Sequence, residues 1–118
     1  MLPLPIRTIL RLEGAVIGAV AILLYAWTDA GWLWFALLIL APDLSMLGYL
    51  RGPRAGAHAY NAAHTLIVPA TLVLTGMGAD WPWLVASGLI WAAHIGLDRA
   101  IGYGLKDVTA FKRTHLSP

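Results

Sequence analysis

Apolar residues fall in four long stretches separated by three short polar turns. The first stretch runs from Ile6 to about Trp27, and its only charges are Arg7, Arg11 and Glu13. Thr28-Asp29-Ala30-Gly31 is the first turn. The second stretch, about Trp32 to Leu50, is interrupted at Pro42-Asp43 and closes on Gly48-Tyr49. Arg51-Gly52-Pro53-Arg54 follows as a basic Gly/Pro turn. The third stretch, about Ala55 to Met77, holds His58, Asn61, His64 and Pro69. After Gly78-Ala79-Asp80, Trp81-Pro82-Trp83 opens the fourth, which ends near Gly104 and leaves a polar, basic tail over 105–118. Each stretch is about 20 residues, the length of helix that crosses a hydrocarbon core of ~30 Å. None sustains the period-two alternation of a barrel strand. The pattern predicts an all-α fold with a single domain over 1–118. Its expected form is an antiparallel bundle of four transmembrane helices over about 6–27, 32–50, 55–77 and 81–104.

Composition supports a lipid environment. The chain is 59% hydrophobic and 12% charged, against roughly 25% charged in a soluble domain. A chain of 118 residues has too little interior to hide that much apolar surface from water. A signal peptide is the rival reading of the first stretch. It is set aside because no small-x-small cleavage pattern precedes Trp27 and three more apolar stretches follow. The formal charge of +2 gives no reason to expect nucleic acid, and the absence of cysteine excludes disulfides and thiolate metal sites.

Charge placement predicts orientation. The cations are Arg7, Arg11, Arg51, Arg54, Arg99, Lys106, Lys112 and Arg113. They lie near the N-terminus, in the central turn, or from the end of the fourth stretch onward. The other two turns carry only Asp29 and Asp80. By the positive-inside rule both termini and the central turn face the cytoplasm. Trp27, Trp32, Trp34, Trp81 and Trp83 then gather at the opposite interface as anchors.

With that topology, Glu13, Asp43, Asn61, His64, His94 and Asp98 all fall in the cytoplasmic half, within about two helical turns of one another in depth. Ionisable groups at the membrane centre cost roughly 2.5–3.5 kcal/mol each, so they are expected to face inward and meet. His94 and Asp98 are four apart and share a helix face; Asn61 and His64 are three apart. Pro42 cannot donate to the carbonyl of Leu38, so the second helix should bend just before Asp43. Gly14 and Gly18 form a small-residue seam on the first helix. Gly88, Ala92 and Gly96 form another on the fourth, suited to a homo-oligomer contact. Asp43-x4-Gly48-Tyr49 and Asp98-x3-Gly102-Tyr103 also echo one another, as an ancient duplicated hairpin would.

Two imidazoles and two or three carboxylates drawn from four helices fit a divalent-metal site for zinc, iron or manganese. His64, His94, Asp98 and Asp43 are the expected ligands. Glu13 is the expected general base, and Asn61, Arg99 and His115 the residues behind the ligands. An open coordination position would serve hydrolysis. The same residues also suit a hydrogen-bonded network in a structural or assembly subunit, or a proton or ion path in a small transporter. Lys106 and Arg99 are expected to snorkel to headgroups.

Arg11-Leu-Glu13-Gly14, Ala41-Pro42-Asp43-Leu44-Ser45-Met46-Leu47-Gly48-Tyr49, Tyr60-Asn61-x-x-His64-Thr65, His94-Ile-Gly-Leu-Asp98-Arg99 and Gly102-Tyr103-Gly104-Leu105-Lys106 occur in that order. With Phe111-x-x-Thr114-His115-Leu116 they resemble the bacterial membrane family catalogued as domain of unknown function 4260, over nearly the whole chain. The resemblance implies a multi-pass protein of the bacterial inner membrane and assigns no activity. More loosely, a Pro-Asp motif with intramembrane histidines is similar to small membrane-bound metal-dependent hydrolases.

Overall fold

Proline sets where the helices of this chain begin and where they break. The computed structural model describes residues 2–106 and 114–117. Among these the order is α1 (Leu4–Ala26), α2 (Trp32–Leu38), a 3₁₀ helix (Ala41–Arg51), α3 (Pro53–His64), α4 (Ile67–Gly78) and α5 (Pro82–Ala100). α1, the 3₁₀ helix, α3 and α5 each carry proline at the first or second position, where the missing N–H is no loss. The fold is all-helical among the described residues; the one strand-like feature is an isolated antiparallel bridge between Lys106 and Thr114.

Two of the stretches expected as single helices are broken in the middle. At the first break Pro42 has no N–H, and the amide of Asp43 bonds the carbonyl of Leu40 instead of that of Ile39. The chain tightens into 3₁₀ geometry from there to Arg51. At the second, Thr65 is extended (φ −81°, ψ 143°), one turn ahead of Pro69, which cannot donate to the Thr65 carbonyl. The Pro42 bend follows the sequence expectation; the break at Thr65 corrects the continuous helix expected over 55–77.

Close backbone approach holds the helices together. A Cβ on Gly96 would lie 2.5 Å from the amide nitrogen of Gly18 and 2.7 Å from the carbonyl oxygen of Gly14, so α1 and α5 cross at near-contact. Gly88 meets Val73, Leu72 and Pro69 of α4 in the same manner. The glycines of both seams are therefore used between helices of one chain. Deeper toward the other end, Tyr25, Ala86, Leu89 and Ile90 form a buried cluster with Trp34 and Phe35 against it.

α5 stops in a Schellman turn. Gly102 has φ 103°, the amide of Gly102 bonds Arg99, and that of Tyr103 bonds the carbonyl of Asp98 at 2.8 Å. This sends the chain back over α3, where Asn61 takes both polar groups of the Lys106 backbone. Asn61 Oδ1 accepts from the Lys106 amide at 2.6 Å, and Asn61 Nδ2 donates to its carbonyl at 2.8 Å.

Leu4–Ala26 and Trp32–Arg51 are long and apolar enough to cross a bilayer, and little of either is buried inside the fold. Large apolar side chains such as Leu12, Val16, Leu23, Leu37, Leu44 and Leu47 point outward.

Candidate metal centre

The two helix breaks and the last turns of α5 meet at one point. α5 contributes His94 and, one turn on, Asp98; His94 Nε2 lies 3.1 Å from Asp98 Oδ2. α3 ends on His64, and the first turn of the 3₁₀ helix carries Asp43. His64 Nε2 is 3.1 Å from His94 Nε2 and 3.1 Å from Asp43 Oδ1. Asp43 Oδ1 is equally 3.1 Å from His94 Nε2, and His64 Nε2 is 3.7 Å from Asp98 Oδ2. One ligand atom from each of the four residues falls within 4.8 Å of all the others. Four ligands at zinc-like bond lengths form a tetrahedron with edges of roughly 3.3 Å, the scale of these separations.

Hydrogen bonding on the far side of each ring fixes what these atoms are. His64 Nδ1–H donates to the carbonyl of Tyr60 at 2.9 Å, and His94 Nδ1–H donates to the carbonyl of Ile39 at 2.6 Å. A neutral imidazole protonated on Nδ1 presents a bare lone pair on Nε2. With both imidazoles neutral, two such lone pairs and two carboxylate oxygens face one another. Acceptors brought this close repel unless a cation or added protons stand among them. The Ile39 carbonyl is free for His94 because Pro42 removed the regular ladder at that point. Likewise the indole of Trp91 takes the carbonyl of Ala63, beside the Thr65 break, at 2.6 Å.

Both histidines are nearly buried, 3% exposed for His64 and 5% for His94. The Asp43 side chain is 34% exposed and that of Asp98 21%, so the group is reached past its carboxylates. Tyr60 backs His64: the rings stack at 3.6 Å between centroids and 7° between planes. The ammonium of Lys106 sits 4.6 Å from the centroid of the Tyr60 ring.

The structure brings together the four residues expected as ligands and separates the others. Glu13 is exposed on α1, among Ile9, Leu12, Val16 and Ile17. It points away because Gly14, its neighbour, takes the inward position against Arg99 and Gly96. Asn61, expected behind the ligands, instead holds the Lys106 backbone. His115 holds the tail: its Nδ1 accepts from the Leu105 amide at 2.9 Å, and its own amide donates to the Leu105 carbonyl at 3.0 Å. Burial and the nearby Arg99 charge push the His115 imidazole below its ordinary range. Arg99 lies with its Cβ against Gly14, half-buried. Lys106, expected to snorkel, is 8% exposed and packed on Tyr60. Tyr60 and the Ile39 carbonyl are the contributors that sequence reasoning missed. The i, i+4 spacing of Tyr60 and His64 was the available signal for the first.

A family model described as a domain of unknown function (DUF4260) matches residues 7–118. No curated protein and no solved structure matches the chain.

Proposed function

Since this chain belongs to the DUF4260 family, whose description records no activity, we propose its function from geometry: a membrane-embedded, divalent-metal hydrolase-like protein. One observation carries the reading. Four acceptor atoms converge with both imidazole Nδ1–H groups already given to backbone carbonyls. A divalent ion at their centre satisfies all four at once and fixes the carboxylates as anions beside a cation. Asp43, His64, His94 and Asp98 would hold zinc, iron or manganese without any thiolate.

A divalent ion in such a site supplies Lewis-acid activation of water and of an acyl or phosphoryl oxygen. The residues divide the remaining work. Ile39 and Tyr60 keep each imidazole in the ligating tautomer, as outer partners of metal-bound histidines do. Asp43, the more exposed carboxylate, turns Oδ1 to the two histidines, and its other oxygen is the one that would take a proton from an incoming water. A substrate reaching this face is amphiphilic or cytosolic.

The membrane setting rests on the two apolar helices, on the outward apolar side chains, and on the confinement of all cations to one set of termini and turns. We place four spans in the bacterial inner membrane, the second and third each interrupted at the centre, with both ends cytoplasmic. Irregular backbone inside a bilayer is tolerated where it is buried in protein or lines a site, and both interruptions abut the quartet.

Metal analysis of the full chain purified in detergent tests the proposal. About one divalent ion per chain, lost in His94→Ala, is the expected result. A metal-free protein whose stability is unchanged by His94→Ala would instead favour the structural or assembly role, and a metal-free protein destabilised by it would favour a proton-sharing network with an extra proton on one imidazole toward Asp43.

A further inference from the structure

At the end of the molecule away from the quartet, a cleft of about 620 Å³ opens between the α1–α2 and α4–α5 turns. Trp27, Trp81 and Trp83 line it together with Asp29 and Asp80. The Trp83 ring is held from behind by Trp34, edge-on at 5.4 Å. Both turns are well defined. The Trp81 amide closes on the Gly76 carbonyl at 2.8 Å, and Asp80 is the one non-glycine residue among those described with a positive φ, 51°.

The field in the cleft is set by its carboxylates. α1 and α4 end at this level while α2 and α5 begin there, so helix poles of both signs meet and offset one another. That leaves the formal charge of Asp29 and Asp80, neither of which forms an ion pair among the described residues. Every lysine and arginine of the chain lies elsewhere in sequence, up to Arg11, at 51–54, or from Arg99 onward.

Two carboxylates without an ion pair, in one cleft with three indoles, select one ligand chemistry. The negative face of an indole attracts a cation, and an alkylated ammonium also gains from apolar contact with the ring. A small inorganic cation keeps its water and gains little from such walls. We propose that this cleft is a binding site for an organic ammonium group of the choline or ethanolamine kind. The group comes either from a lipid headgroup or from a free amine in solution. The site is independent of the metal centre, since Trp83 and Asp98 are separated by roughly 22 Å of helix α5.

The test is a titration of tetramethylammonium into the full chain in maltoside detergent, read by tryptophan fluorescence against sodium at equal ionic strength. A saturable change with the organic cation alone is expected. It should weaken about tenfold or more in D29N/D80N, in line with removal of the paired charges from an aromatic site. Trp27→Leu should weaken it as well, and His94→Ala should leave it intact. Asparagine accepts the left-handed backbone at position 80, and an unchanged helical circular-dichroism signal confirms the fold; Asp29→Asn alone, in an exposed turn, gives a partial loss. No saturable response, or one that D29N/D80N leaves untouched, overturns the proposal. Repeating the titration in phosphatidylcholine and phosphatidylglycerol nanodiscs identifies the source. Weaker apparent affinity in phosphatidylcholine marks the headgroup as occupant, and equal affinity marks the free amine.

Discussion

Ile39 and His94, 55 residues apart in the chain, are joined by a hydrogen bond of 2.6 Å from the imidazole Nδ1–H to the Ile39 carbonyl. The bond exists because a helix was broken to release that carbonyl. Pro42→Ala restores the missing donor and lets the ladder re-form across Ile39 and Asp43. The expected outcome is retained helical content with divalent-metal affinity lowered about 10–100-fold, the range typical for loss of a histidine's outer partner. Isothermal titration of the purified variant with zinc measures it.

Metal loading should also appear as stability. A ligand present at a hundred times its dissociation constant stabilises the folded state by about 2.7 kcal/mol. Thermal unfolding in detergent should therefore shift downward on treatment with a chelator and recover on adding back zinc or manganese. His64→Ala and Asp98→Asn should abolish that response; an identical chelator shift in both variants counts against the quartet.

Tyr60 is 3% exposed and lies flat on His64. Tyr60→Phe keeps the stacked ring but removes the hydroxyl that bonds Asp98, and should lower metal affinity, as loss of a ligand's outer partner does. Tyr60→Ala removes a buried aromatic, which costs about 3–5 kcal/mol of stability, and leaves the His64 ring free to rotate. Comparing zinc affinity of the two variants separates ring support from hydroxyl chemistry.

Gly96→Ala should be among the most damaging conservative changes in the chain. The added methyl would meet the backbone of Gly18 and Gly14 at 2.5 and 2.7 Å, and backbone cannot yield as a side chain can. Overpacking of this kind costs about 1–3 kcal/mol. The variant should show a lowered melting temperature and, since α5 carries His94 and Asp98, weaker metal retention.

The tail gives a pH prediction. His115 Nδ1 accepts the Leu105 amide and can do so only while unprotonated. Its folded pKa is depressed, by burial first and by Arg99 second, so the unfolded chain binds the proton more readily. Stability then rises with pH. The contribution is complete above the unfolded value of about 6.5 and is lost as pH falls toward and through the folded value. Protection of the Leu105 amide against hydrogen exchange, taken relative to its intrinsic rate at each pH, should fall between neutral and mildly acid pH in the wild type, and be low at both in His115→Ala.

The meeting of Asp43, His64, His94 and Asp98 was legible because isolated charge in an apolar setting is costly. His94 and Asp98 share a helix face, and Asp43 and His64 are the remaining buried partners at the same depth. Glu13 fitted the depth argument equally well and still points outward, since depth says nothing about azimuth. Gly14 sets the azimuth, and its role emerges only when α5 is seen lying against it. The break at Thr65 was written in Pro69, but a proline near the start of a new helix and one inside an old helix read alike along the chain. The paired Asp-Gly-Tyr echo shows both sides. Asp43 and Asp98 do meet, while Tyr49 lies over Gly56 and Tyr103 is exposed, so only the acid of the repeat converges in space.

The crossing of α1 on α5 has a consequence for biosynthesis. α1 leaves the ribosome some eighty positions ahead of α5, the glycine-lined helix it packs against. Until then α1 lacks its main packing partner, and half of the quartet has not been translated. An ion held by all four residues, as proposed above, could enter only after α5 has been made.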